Sequence, residues 1–146
     1  IKILKGEKII DQADIDIDIG IYGFIPEEII PQAELRLSIY KEISSIKENK
    51  NLEQNKKDFI DRFGDVTSEI TNLYELSKLK NIARKLNILG IKYRDENFSL
   101  KLADDSRLIP PSSKIREIKV SAKDIKSDRL TFIMSKLESF LVKNEI

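Results

Sequence analysis

Two serine–lysine pairs with the same spacing, Ser44 with Lys47 and Ser77 with Lys80, come nearest to catalysis in this chain of 146 residues. In a Ser-x-x-Lys arrangement the amine can activate the hydroxyl as a nucleophile for acyl transfer. Both pairs fall on stretches with helical periodicity, and no loop that could hold an oxyanion accompanies them. Their ordinary reading is as surface residues of helices. Asp14, Asp16 and Asp18 alternate in "DIDIDIGI", so their carboxylates share one face of a strand and could hold a divalent cation. The ladder lacks the turn glycine of a calcium loop. A solvated strand face, whose like charges discourage edge pairing, is the plainer account. Lys78, Lys80, Arg84 and Lys85 in "KLKNIARK" could follow a phosphate backbone, but they do not all share one side and no aromatic platform accompanies them.

Composition narrows the chemistry further. The chain has no histidine and no cysteine, which removes the usual general base, thiolate zinc sites, disulfides and cysteine nucleophiles. Five glycines are scattered, and none stands before Lys-Ser or Lys-Thr at phosphate-loop spacing. The formal net charge of +1 points to neither nucleic acid nor membrane. No apolar run reaches spanning length and no signal peptide is visible. The first residue is Ile, and the opening "IKILKGEKII" reads as the interior of a longer protein.

The elements follow from periodicity. Ile15, Ile17, Ile19 and Ile21 form the apolar face of a strand. Pro26 and Pro31 bracket "PEEIIP" as an extended connection. A first helix follows Pro31, with Leu35, Ile39, Ile43 and Ile46 as its stripe, widened by Leu37 and Tyr40. Asn51 with Gln54 resembles a capping box that opens a second helix, whose Leu52, Phe59, Ile60 and Phe63 bury. Arg62 and Gly64 close it, a cation near the negative helix end and a residue free to turn left-handed. Thr67 caps a third helix, running through Ile70, Leu73, Leu76, Leu79, Ala83 and Leu86 until Asn87 and Gly90 stop it. "IKYRDENFSLKL" reads as a hairpin about Asp95-Glu96-Asn97, "KIREIKV" as a further strand, and Ser127 or Asp128 caps a last helix with Leu130, Ile133, Met134, Leu137, Phe140 and Leu141. With no βαβ rhythm, the expected class is α+β: a small antiparallel sheet packed by amphipathic helices in a single compact domain.

The ordered pieces Ile25-Pro26, Ile30-Pro31, Arg36-Leu37, Tyr40-Lys41, Ile60 to Gly64 ("IDRFG") and Leu79 to Leu86 resemble the C-terminal (TRCF) domain of the bacterial transcription-repair coupling factor, or Mfd, family. The likeness covers roughly residues 1–95. It departs from the family pattern at Ile29, where an aromatic is usual, at "DVT" after Gly64, and beyond Leu102. The resemblance implies residues 1–13 as the tail of a preceding translocase module with its linker, and residues 14–146 as a C-terminal regulatory domain. It implies a cytoplasmic parent that is an ATP-dependent DNA translocase, displaces stalled RNA polymerase and recruits UvrA for excision repair. ATP and magnesium would belong to motor domains outside this chain, and the fragment itself would have no catalytic, cofactor-binding or metal-binding residue.

The same resemblance implies autoinhibitory docking on the UvrB-like module of the same polypeptide. That docking would mask the UvrA-binding surface, through acidic residues near the second helix set against arginines. Glu48 and Glu53 are the interaction candidates. A nucleic-acid-binding accessory module that aids translocation is the alternative, and a Ser–Lys hydrolase is a remote third. No membrane partner is expected.

Overall fold

The computed structural model describes residues 15–64, 66–110, 114–123 and 128–143, and these fall into two units along the chain. Asp14 of the aspartate ladder, the 1–13 segment and the candidate cap Ser127 lie outside the described residues.

The unit Gly20–Ile82 is helical. It contains α1 (Ala33–Ser45), α2 (Asn49–Phe63) and most of α3 (Ser68–Lys85). Its core gathers Ile25 and Ile30 from the entry segment, Ile39 and Ile43 from α1, Leu52 and Phe59 from α2, and Ile70 and Tyr74 from α3. The expected stripes hold with two corrections. Leu37 is 54% exposed and Ile60 is 37% exposed. Each is displaced around its helix from the buried line, Ile39–Ile43 on α1 and Leu52–Phe59 on α2. The "PEEIIP" segment is a turn rather than an extended run: the amides of Ile29 and Ile30 both donate to the Pro26 carbonyl, at 3.1 and 3.2 Å. Arg36 Nη1 then donates to the carbonyls of Ile30 and Pro31, at 2.7 and 3.0 Å, and binds α1 to its own entry.

α2 begins three residues earlier than a cap at Asn51 would allow. Glu48 is the residue before the helix, with no side-chain cap. The Asn49 side chain is drawn into tertiary bonds, accepting from Asn81 Nδ2 at 3.0 Å, while Asn81 also donates to the Ile46 carbonyl at 3.1 Å. At the far end Gly64 takes φ 89°, ψ −147°, and its amide donates to the Ile60 carbonyl at 2.8 Å. That conformation lies outside the left-handed helical region but is equally a glycine's. Thr67 caps α3 as expected, its Oγ1 accepting from the Ile70 amide at 3.3 Å.

The second unit holds the sheet and the last helix. Its strands are β1 (Asp16–Asp18), β2 (Ile88–Arg94), β3 (Asn97–Leu102) and β4 (Glu117–Ser121), in spatial order β1-β2-β3-β4. The β2–β3 and β3–β4 pairs are antiparallel, but β1 pairs parallel to β2, with Asp16 opposite Gly90, so the sheet is mixed rather than wholly antiparallel. A hairpin cannot join β1 to β2, because the three helices intervene and return the chain in the same sense. The hairpin turn is Asp95-Glu96, with φ of 50° and 62°, both positive as a two-residue type I′ turn requires. α4 (Arg129–Lys143) buries Leu130, Ile133 and Leu137, and Phe132 stacks on Phe98 of β3 at 5.8 Å. Asp128 is the helix cap, accepting from the Thr131 amide at 2.8 Å. The architecture is α+β. Among the described residues no helix is long and apolar enough to cross a membrane.

Candidate functional site

In the helical unit, residues 55, 58, 59 and 62 of α2 recur at intervals of three and four, so Asn55, Asp58, Phe59 and Arg62 stack on one side of the helix. With Phe63 next in line and Ile39 and Glu42 from α1, they line a small, half-open pocket of about 60 Å³. That is well below the ~300–1,000 Å³ of sites that enclose a nucleotide or other cofactor. Its walls are aromatic: the rings of Phe59 and Phe63 lie 4.8 Å apart, and the Arg62 guanidinium sits 4.9 Å over the Phe63 ring. Its rim is acidic. Among the described residues neither Glu42 nor Asp58 has an ion-pair partner.

Both carboxylates are bound by neutral amides instead. Gln54 Nε2 donates to Asp58 Oδ1 at 3.0 Å, and Asn55 Nδ2 donates to Glu42 Oε2. Behind Asn55, the buried Tyr74 hydroxyl donates to Asn55 Oδ1 at 2.6 Å. Burial pushes the Tyr74 phenol above its ordinary pKa, and the negative charges of Glu42 and Asp58 push it the same way. The hydroxyl therefore keeps its proton and feels the field of the pocket.

The sequence candidates sit elsewhere. Glu48 is exposed at the start of α2. Glu53 forms an ion pair with Lys78 of α3, which also meets Glu75 at 3.0 Å. The two lie five residues apart, about 140° around a helix, and the structure does not bring them to one face. The serine–lysine pairs are not assembled for catalysis. Ser44 and Ser77 donate their hydroxyls to the carbonyls of Lys41 and Leu73, and Lys47 Nζ bonds the Ser44 carbonyl rather than its hydroxyl. Asp16 and Asp18 are exposed on β1, and no group of three or more potential metal ligands occurs among the described residues. Register puts Lys92, Lys101 and Lys119 on the sheet face that also carries Asp16, Asp18 and Glu117, so acids stand among the lysines of that face.

Sequence reasoning passed over Glu42, Asn55 and Asp58 because each looked like ordinary helix surface. Only the α2 spacing of Asn55, Asp58 and Phe59 was available as a signal. The meeting of Glu42 with Asn55, thirteen residues on, depends on how α1 and α2 pack.

The site thus has the makings of a docking surface: an aromatic floor, a charged rim, and no room for a cofactor. The family comparison agrees with the fold. The model of the TRCF domain matches residues 19–113, and the chain belongs to the TRCF domain family. It is 28% identical over 121 residues to the transcription-repair-coupling factor of Rickettsia bellii, covering 83% of this chain and 11% of that protein. It is 33% identical over 103 residues to the factor of Rickettsia conorii, covering 69% and 9%. The Escherichia coli factor is 28% identical over 95 residues, covering 65% and 8%. The chain therefore spans about a tenth of the length of these curated relatives. A crystal structure of the C-terminal domain of transcription-repair coupling factor superposes with a TM-score of 0.70 at 20% identity, covering 86% of this chain and 88% of that one, which establishes the shared fold.

Proposed function

We propose that this chain is the non-catalytic C-terminal regulatory domain of a transcription-repair coupling factor, following residues 1–13 as the tail of a translocase module. The parent is a cytoplasmic, ATP-dependent DNA translocase that displaces stalled RNA polymerase and recruits UvrA. ATP and magnesium are handled by its motor domains. The domain docks on the UvrB-like module of the same polypeptide and masks the surface that UvrA uses.

The observation that carries the docking reading is the pocket of α1 and α2, where the Glu42 and Asp58 carboxylates stand without a cationic partner among the described residues beside the rings of Phe59 and Phe63. Such a surface is complementary to an arginine of the partner module, whose planar cation pairs with carboxylates through several donors at once. Glu48 and Glu53 are candidates for contacts outside this pocket. Glu53 contributes less, because Lys78 already offsets it.

The test is UvrA binding by the full parent and by a parent lacking residues 14–146. Tighter binding by the truncated protein supports masking. Equal binding removes it, and salt-sensitive DNA affinity of the isolated chain would favour the nucleic-acid accessory role instead.

A further inference from the structure

Glu42 and Asp58 are held by amide donors, not by cations. An amide fixes where a carboxylate points without cancelling its charge, which suits a site that must present charge to a partner. Asn55 has one orientation that satisfies both of its neighbours. Its Oδ1 accepts from the Tyr74 hydroxyl at 2.6 Å, so its Nδ2 faces Glu42. Turned over, its carbonyl oxygen would meet the Glu42 carboxylate, two acceptors with no proton between them. Tyr74 is itself immobile, fully buried with its ring edge-on to Phe59 at 6.5 Å and 75°. A rigid element of α3 thus reaches through α2 to orient a carboxylate of α1.

We infer that Asn55, locked by the Tyr74 hydroxyl, is a positioning residue of this pocket, setting the Glu42 carboxylate so that with Asp58 it receives a guanidinium rather than an ammonium. The inference rests on the docking reading above. Selectivity comes from shape. Arg62 already lays its guanidinium over the Phe63 ring at 4.9 Å, so that ring is taken and an incoming cation is read by the two carboxylates. Two oriented carboxylates reward several donors in a fixed fork, whereas a lysine ammonium behaves as a point charge and gains little from their orientation.

The experiment titrates the 146-residue chain with N-acetyl-arginine amide and N-acetyl-lysine amide, followed by NMR at the Asn55 side-chain amide and the Tyr74 ring carbon that bears the hydroxyl. The wild type should prefer the arginine probe by about threefold or more, with both signals shifting. Tyr74→Phe should lower that preference, and Asn55→Leu should bring the ratio close to one. A merely structural role would weaken both probes alike and leave the ratio intact. No binding of the arginine probe by the wild type, or an unchanged ratio in folded Tyr74→Phe, overturns the inference. If Asn55→Leu fails to fold, Tyr74→Phe decides alone. UvrA binding by the truncated parent involves neither probe. Masking with an unchanged probe ratio therefore sinks only the positioning role, and the converse result sinks only masking.

Discussion

Gly23 lies so close to Leu73 that a Cβ added to it would stand 2.3 Å from the Leu73 amide nitrogen. The contact is backbone against backbone. It is sealed on both sides, by the Phe24 amide donating to the Glu69 carbonyl at 3.2 Å and by Asn72 Nδ2 donating to the Tyr22 carbonyl at 3.2 Å. The entry segment therefore lies directly on α3, and only glycine permits it.

Gly23→Ala should be costly for a small substitution. The clash is with main chain, which cannot swing aside as a side chain can, so a loss of about 1–3 kcal/mol or more is expected. Denaturant melts measure it. A loss below about 0.5 kcal/mol would show that the segment can lift away from α3 at little cost.

Phe59 and Phe63 separate core from pocket wall. Phe59 is buried while Phe63 is only partly so. Phe59→Ala should cost about 3–5 kcal/mol, and Phe63→Ala distinctly less. Equal losses in equilibrium unfolding would place Phe63 in the core and close the pocket as described.

Asp128 makes stability depend on acid pH. Hydrogen bonds from the Thr131 amide, foremost, hold its carboxyl below the ordinary value of 3.8. A lowered folded-state pKa gives stability that is complete above the unfolded value and disappears as pH falls through the folded one. Asp128→Ala should cost about 0.5–2 kcal/mol at neutral pH. The difference from wild type should shrink as pH is taken below the unfolded carboxylate value. Parallel acid titrations of both proteins check the sign, and a gap that widens in acid would refute the assignment.

The hairpin turn stores strain that can be removed. Glu96 has φ of 62°, where side chains other than glycine and asparagine fit poorly. Glu96→Gly relieves it at the expense of a freer unfolded chain, and the net should be a gain of about 0.5–1 kcal/mol. The carbonyl that accepts from the Ala122 amide at 2.8 Å is retained in the variant. Thermal melts should show a midpoint a few degrees higher, and a lower midpoint would mean that the Glu96 side chain does something the backbone does not require.

Local grammar was legible in the sequence where one residue decides the outcome. Thr67 and Asp128 cap because a short side chain meets nearby amides, and Asp95-Glu96 turn because the flanking residues alternate. What stayed hidden depends on distant partners. Asn51 looked like a cap, but Asn81 draws Asn49 into the helix start. Ile60 looked like core, but the line through Leu52 and Phe59 passes beside it. Tyr74 gives no signal in the sequence, since a polar aromatic among leucines carries no mark of the asparagine that accepts its hydrogen bond. The parallel pairing of β1 depends on the path of three intervening helices, which periodicity does not trace.

Charge reversal separates the pocket from the earlier candidates. Glu42→Lys with Asp58→Lys places two cations where the docking reading puts an incoming arginine. Glu48→Lys with Glu53→Lys changes charges outside the pocket and also leaves Lys78 facing a cation. An exposed charge pair is worth about 0–1 kcal/mol, more when docking desolvates it. Each ~1.4 kcal/mol shifts the closed-to-open ratio of the parent about tenfold. The pocket pair should therefore raise UvrA affinity of the full parent by roughly tenfold, the outer pair by less. Because both pocket carboxylates are exposed, the domain's own melting curve should move little, apart from the lost Asn55 bond. High salt should mimic the pocket pair in the wild type by screening the same attraction. Binding isotherms of the wild type and the two double variants at two salt concentrations decide it. If the outer pair releases UvrA binding and the pocket pair does not, docking runs through Glu48 and Glu53, and the pocket has another use.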